Sequence, residues 1–169
     1  MGMEPEQPMT LYVSYSQKDE ALKQEFEDYL VNLQQAQLIS GWIERLVQPG
    51  ADWSQMIDPR LEMAQILLLL LSPSLLASGY CSGAEFQEAF EQRRGRGEIR
   101  VVPIFLYHVD VTWHPLVSIQ GVPMFHTKGG SVMKPVSSWQ ERHEAWWNVY
   151  QELHQLIRSH PSGSLWSLR

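Results

Sequence analysis

The chain carries one unbroken run of large aliphatic residues, Ile66 to Leu71, and that run limits the available folds more than any other segment. It is far shorter than the roughly 20 residues a bilayer-spanning helix needs. An apolar stretch of strand length with no polar alternation is what the central strand of a parallel sheet presents when helices cover both its faces. Around it, β-prone runs at Leu11 to Tyr15, Leu38 to Ile43 and Ile99 to Tyr107 alternate with segments of helical period, and a short strand is expected at Val122 to His126. Leu22, Phe26, Tyr29, Leu30 and Leu33 form one helical stripe, and Trp146, Val149, Tyr150, Leu153 and Ile157 form another. Two more helices are expected, one capped by Asp52 and kinked or broken at Pro59, the other opening at Ser82 and running to about Arg94. Ser16 with Asp19, Ser82 with Glu85, and Ser138 with Glu141 each have the spacing of a capping box.

This alternation predicts an α/β fold: a flavodoxin-like three-layer sandwich with a central parallel five-stranded sheet and helices on both faces. Ligands of such sheets bind beyond the carboxyl ends of the strands, so the loops after Tyr15, Ile43, Leu71 and Tyr107 are expected to share a cleft. Residues 10–158 read as the domain, 1–9 as a leader and 159–169 as a tail or linker. A chain of 169 residues with 44% hydrophobic content supports one core. Its 19 acidic against 13 basic side chains oppose binding to nucleic acid or to an anionic membrane. A single cysteine, Cys81, forms no internal disulfide, and the N-terminus lacks the basic and apolar regions of a signal peptide; both point to the cytoplasm. The histidines show no metal-ligand spacing, so no metal is expected.

Three segments, in order, resemble the Toll/interleukin-receptor (TIR) family, in its bacterial NAD-consuming form. Tyr12-Val13-Ser14-Tyr15-Ser16 followed by Asp19 is similar to the family's first box. Trp42 and Arg45, then Pro49-Gly50 and Trp53, are similar to its second box and the BB loop, with Glu44 where Asp is commoner. Leu68 to Ser72, then Ser78, Tyr80-Cys81 and Glu85, resemble the segment that carries the catalytic glutamate. Ser138-Trp139 stands where the third box has Phe-Trp.

The resemblance implies an enzyme that cleaves the nicotinamide–ribose bond of NAD+ as its substrate, with no bound cofactor, and becomes active when TIR domains assemble into an oligomer or filament. Glu85 is then the catalytic residue, Ser14, Tyr15, Ser16, Arg45 and Cys81 contact substrate, and Pro49, Gly50 and Trp53 belong to the assembly loop. An antiphage-defence effector is the implied setting. Each assignment has a plainer counterpart. Glu85 can close a capping box on Ser82. Tyr15 and Ser16 can pack and cap, Arg45 can form an ion pair with Glu44 and neighbouring loop carboxylates, Cys81 can be a buried thiol, and Trp53 reads best as core. Glu88, on the same face as Glu85, is the backup carboxylate. The alternative to an enzyme is a TIR adaptor that recruits other TIR domains without chemistry; an FMN-binding flavodoxin or a receiver domain is a third, poorer match.

Overall fold

The computed structural model describes residues 8–159, so most of the expected leader and nearly all of the expected tail lie outside the described residues. Strands β1 (Met9–Ser16), β2 (Ile39–Val47), β3 (Ile66–Leu71) and β4 (Arg100–Phe105) form one parallel sheet in the order β2-β1-β3-β4. The described residues hold four α-helices: α1 (Glu20–Gln35), α2 (Pro73–Ala77), α3 (Ala84–Gln87), which continues as a π-helical turn over Glu88–Arg93, and α4 (Arg142–Arg158). The α/β sandwich expected from the sequence is therefore the fold.

The aliphatic run explains the layering. All six residues of β3 are buried, and side chains alternate across a strand, so Ile66, Leu68 and Leu70 face one layer while Leu67, Leu69 and Leu71 face the other. The first layer is α1 and α4, with Phe26, Leu30, Trp146, Val149 and Leu153 packed on the sheet. Phe26 and Trp146 stack with ring centroids 4.9 Å apart and join the two helices. The second layer is built from Trp53, Leu61, Leu75, Phe86 and Phe90. A buried lysine, Lys23, ties α1 to the edge strand β2, reaching Glu44 at 2.6 Å and Glu20 at 3.3 Å and pairing closely with Glu27. Burial works against its charge, and these carboxylates outweigh burial and raise its pKa.

Several expectations need correction. The sheet has four strands, and the fifth is reduced to a single bridge, Ile104 to Val122. Gly121 lets the chain come close there, since a Cβ would sit 2.3 Å from the Phe105 ring, and Pro123 lacks the amide that would carry the ladder onward. Instead β5 (Met124–Thr127) and β6 (Gly130–Met133) form an antiparallel hairpin. β2 runs on to Val47 rather than ending at Ile43. No helix starts at Asp52: that side chain accepts the Ser54 amide in a turn, and the first helical residue is Pro59, in a short 3-10 turn (Pro59–Met63) capped by Asp58. Proline suits the first position of a helix, which is why it marks a start and not a kink.

None of the three capping boxes closes as expected. α4 has Glu141 at its N-cap with no side-chain bond. Ser82 lies in a 3-10 turn (Tyr80–Ser82) ahead of Gly83, the N-cap of α3. Ser16 accepts the Lys18 amide, but Asp19 turns inward, where it accepts a hydrogen bond from Ser72, the residue that also caps α2. Burial raises the Asp19 pKa above its ordinary value, with the Ser72 bond opposing it in part.

A raised carboxyl pKa means that Asp19 favours the fold when protonated, and that this contribution is lost as pH rises from about 4 through its folded value. Asp19→Asn keeps the acceptor for Ser72 and removes the charge. Its urea midpoint should match the native chain below about pH 4 and gain on it progressively towards pH 7. A difference independent of pH would show that Asp19 does not titrate in this way.

Candidate functional site

The floor of the site is the second-layer face of β1. Tyr12 and Ser14, two residues apart, point to this face, while Val13 and Tyr15 point to the other. In the β1–β2 register Ser14 lies opposite Arg45, and Tyr12 lies opposite Ile43. Above them Gly83 starts α3 with extended backbone (φ −90°, ψ 179°), and Glu85 sits in the helix's first turn. Its side chain caps nothing. It turns back over β1 and is only 1% exposed.

Three donors converge on that carboxylate. Oε2 accepts from Arg45 Nε at 3.1 Å and from the Tyr80 phenol, and Oε1 accepts the Asp58 amide at 2.8 Å. The Tyr80 oxygen lies 2.8 Å from Ser14 Oγ, so with the phenol donating to Glu85 the serine hydroxyl donates to the phenol. Burial first, and then the Glu85 charge, push the Tyr80 pKa well up, and the phenol remains a proton donor. At Arg45, burial opposes the charge, and the Glu85 hydrogen bond and charge outweigh it. Asp58 is held below its ordinary value by Arg60, which grips it through Nε at 3.1 Å and Nη2 at 2.6 Å.

The Gln48 to Asp58 segment lies over this group. Trp53 enters the core edge-on to Tyr80, with ring centroids 5.2 Å apart, and carries the Arg45 guanidinium on its face at 4.9 Å. Its carbonyl accepts the Ala84 amide at 2.9 Å. On the outer side, Pro49 and Gly50 join Ser16, Lys18, Ser74 and Ser78 around a cleft of ≈ 460 Å³. The loops after β1, β2 and β3 therefore converge at the carboxyl edge, as expected, whereas the loop after Tyr107, also expected there, contributes no lining residue to the cleft; the segment that lines the cleft also closes over Glu85. It presents Met56 and Ile57 to solvent, 40% and 47% exposed.

The structure thus brings Ser14, Arg45 and Trp53 together around Glu85, and Ser16, Pro49 and Gly50 around the neighbouring cleft. Arg45 does not pair with Glu44, which belongs to Lys23, but besides Glu85 it reaches one loop carboxylate, Asp58, at 4.0 Å. Tyr15 is buried on the opposite face of the sheet, beneath Lys23. Cys81 is buried in the second layer, its thiol pushed up to about 12 by burial, and its carbonyl lies 2.7 Å from His114 Nε2. Glu88 sits a turn beyond, near Arg96. The sequence leaves Asp58 unmarked, and it presents Tyr12 and Tyr80 only as parts of motifs, with no role of their own. Alternation along β1 is the signal that places Tyr12 beside Ser14; nothing in the sequence marks the Asp58 amide.

A parallel α/β sandwich with a buried carboxylate under the loops of its carboxyl edge defines the class. A family model for the TIR domain matches residues 11–132, and the chain belongs to that family. It is 34% identical over 142 residues to an uncharacterized protein, y4lF, of Sinorhizobium fredii. That match takes in 83% of this chain and 41% of the relative, so the chain spans about two fifths of that protein's length. Among the described residues no helix is long and apolar enough to cross a membrane.

Gly83 is needed for space, since its φ of −90° suits any residue, but a Cβ there would meet the Trp53 carbonyl oxygen at 2.3 Å. Gly83→Ala should therefore push the covering segment outward, lowering stability by about 1–3 kcal/mol. Amide exchange at Asp58 should accelerate by at least about tenfold. An unchanged Asp58 exchange rate would mean that Gly83 does not hold this segment in place.

Proposed function

We propose that this domain cleaves NAD+ at the bond between nicotinamide and ribose, with Glu85 as the catalytic carboxylate. The observation that carries the reading is that Glu85 is buried over β1 and β2, free of any capping duty, under the segment whose first residues, Pro49 and Gly50, line a cleft. A carboxylate in that setting is costly to bury, and three donors hold it in one orientation.

The reaction asks little more of the protein. When the C1′–N bond breaks, its electron pair returns to the pyridinium nitrogen and nicotinamide leaves neutral, so no general acid is required. A fixed carboxylate stabilises the positive charge that develops on the ribose ring. Water then adds its oxygen to C1′ and releases a proton, giving ADP-ribose; attack by a group within the substrate gives a cyclic ADP-ribose instead. The hydroxyls of Ser16, Ser74 and Ser78 and the Lys18 ammonium around the cleft suit the ribose and phosphate portions of a dinucleotide.

Glu85 is covered by the Gln48 to Asp58 segment in the single chain, so substrate reaches it only when that segment moves. This supports activation by assembly with other TIR domains, and such an effector would deplete NAD+ in antiphage defence. The apolar side chains of Met56 and Ile57 on the same segment favour a second reading, an adaptor that uses this surface only to recruit TIR partners.

The test is nicotinamide release from NAD+ at high protein concentration. Glu85→Gln keeps the shape and should lower kcat by at least about 100-fold. Equal turnover in both proteins would reject Glu85 as the catalytic group, and no turnover by the concentrated native chain would favour the adaptor.

A further inference from the structure

The donor set around Glu85 is closed on one oxygen and provisional on the other. Oε2 is held by Arg45 and Tyr80, which stand on β2 and on the turn before α3. Oε1 has one donor, the Asp58 amide, and that donor belongs to the segment that must lift before a ligand can reach the carboxylate. Lifting it strips Oε1 of its partner when the side chain has to be fixed most firmly.

A replacement stands below. The phenol of Tyr12 is fully buried and its oxygen has no hydrogen-bond partner among the described residues. Phenylalanine would fill the same space without stranding a donor, so the hydroxyl adds little to the stability of the closed form. It projects from the same face of β1 as Ser14, which is already bonded to Tyr80, and it lies close enough to the Glu85 carboxylate for that group's charge and a weak side-chain interaction to raise its pKa, without completing a hydrogen bond of normal geometry. Burial and the Glu85 charge both raise its pKa, so it stays protonated and able to donate.

We infer that Tyr12 is a positioning residue for Glu85, whose phenol takes over Oε1 when the Gln48 to Asp58 segment leaves. Closed and open forms then give the carboxylate three donors each, with an amide exchanged for a phenol. This rests on the reading of Glu85 as the catalytic carboxylate for NAD+.

The experiment is Tyr12→Phe in the full chain, assayed for nicotinamide release at high protein concentration beside the native protein, Glu85→Gln, and Tyr29→Phe as a phenol on the far layer. Tyr12→Phe should lower kcat by about 10- to 100-fold with KM within about twofold, and its Tm should be no lower than the native value. Native kcat in Tyr12→Phe, with Glu85→Gln inactive, overturns the proposal and leaves the NAD+ reading standing. A fall in Tm alongside kcat also overturns it, since the hydroxyl would then be part of the closed fold. Failure of the concentrated native protein to release nicotinamide removes the NAD+ reading, and this proposal with it.

Discussion

Because β3 is covered on both faces, each residue of the neighbouring strands has to take a side, and that division organises the molecule. On β1 it sends Val13 and Tyr15 towards α1 and α4, and Tyr12 and Ser14 towards α3. The first pair ends in aliphatic and aromatic packing with a lysine above it. The second pair ends in hydroxyls beneath a carboxylate. A slip of one residue in the β1–β3 register would exchange the two sets and bury the hydroxyls against Phe26 and Trp146. The site therefore depends on the same aliphatic run that holds the sheet together.

The second layer explains why a charge can be kept in the core. Glu85 has two donors from side chains and one from backbone, and Arg45 rests on the Trp53 face while reaching it. A buried ion pair contributes little to stability by itself, since removing two ions from water offsets their attraction. Its effect here is orientation: it fixes which way the carboxylate points, and it binds the covering segment to the group it covers. Trp53 has a related place, as a core residue whose backbone also receives the first amide of α3.

The sheet was legible because its signal is two-sided burial, which leaves a continuous apolar run at β3 and a helical period in α1 and α4. The errors fall where polar side chains had more than one local use. Ser82 with Glu85 and Ser16 with Asp19 have capping-box spacing, yet both acids bond to residues distant in sequence, Arg45 and Ser72. Spacing along the chain records local options, and burial selects among them. The helix expected from Asp52 failed for a related reason: Asp52 closes a local turn on Ser54, and the Trp53 carbonyl is used by the distant Ala84 amide. Glu85 and Arg45 were identified separately as candidates, but their pairing crosses from strand to helix and leaves no trace in spacing. The same holds for the Asp58 amide, which has no side-chain identity to read.

The π-helical turn after α3 has a mechanical consequence. It buries Arg93, whose guanidinium donates to the carbonyls of Leu61 and, at 2.8 Å, Ala64, and so nails down the 3-10 turn that follows Asp58. At its other end the covering segment leaves from Val47, buried at the end of β2. It is thus an arch anchored at both feet, at Val47 and at Leu61, so whatever uncovers Glu85 has to be taken up by the residues between them, the Asp58 amide included.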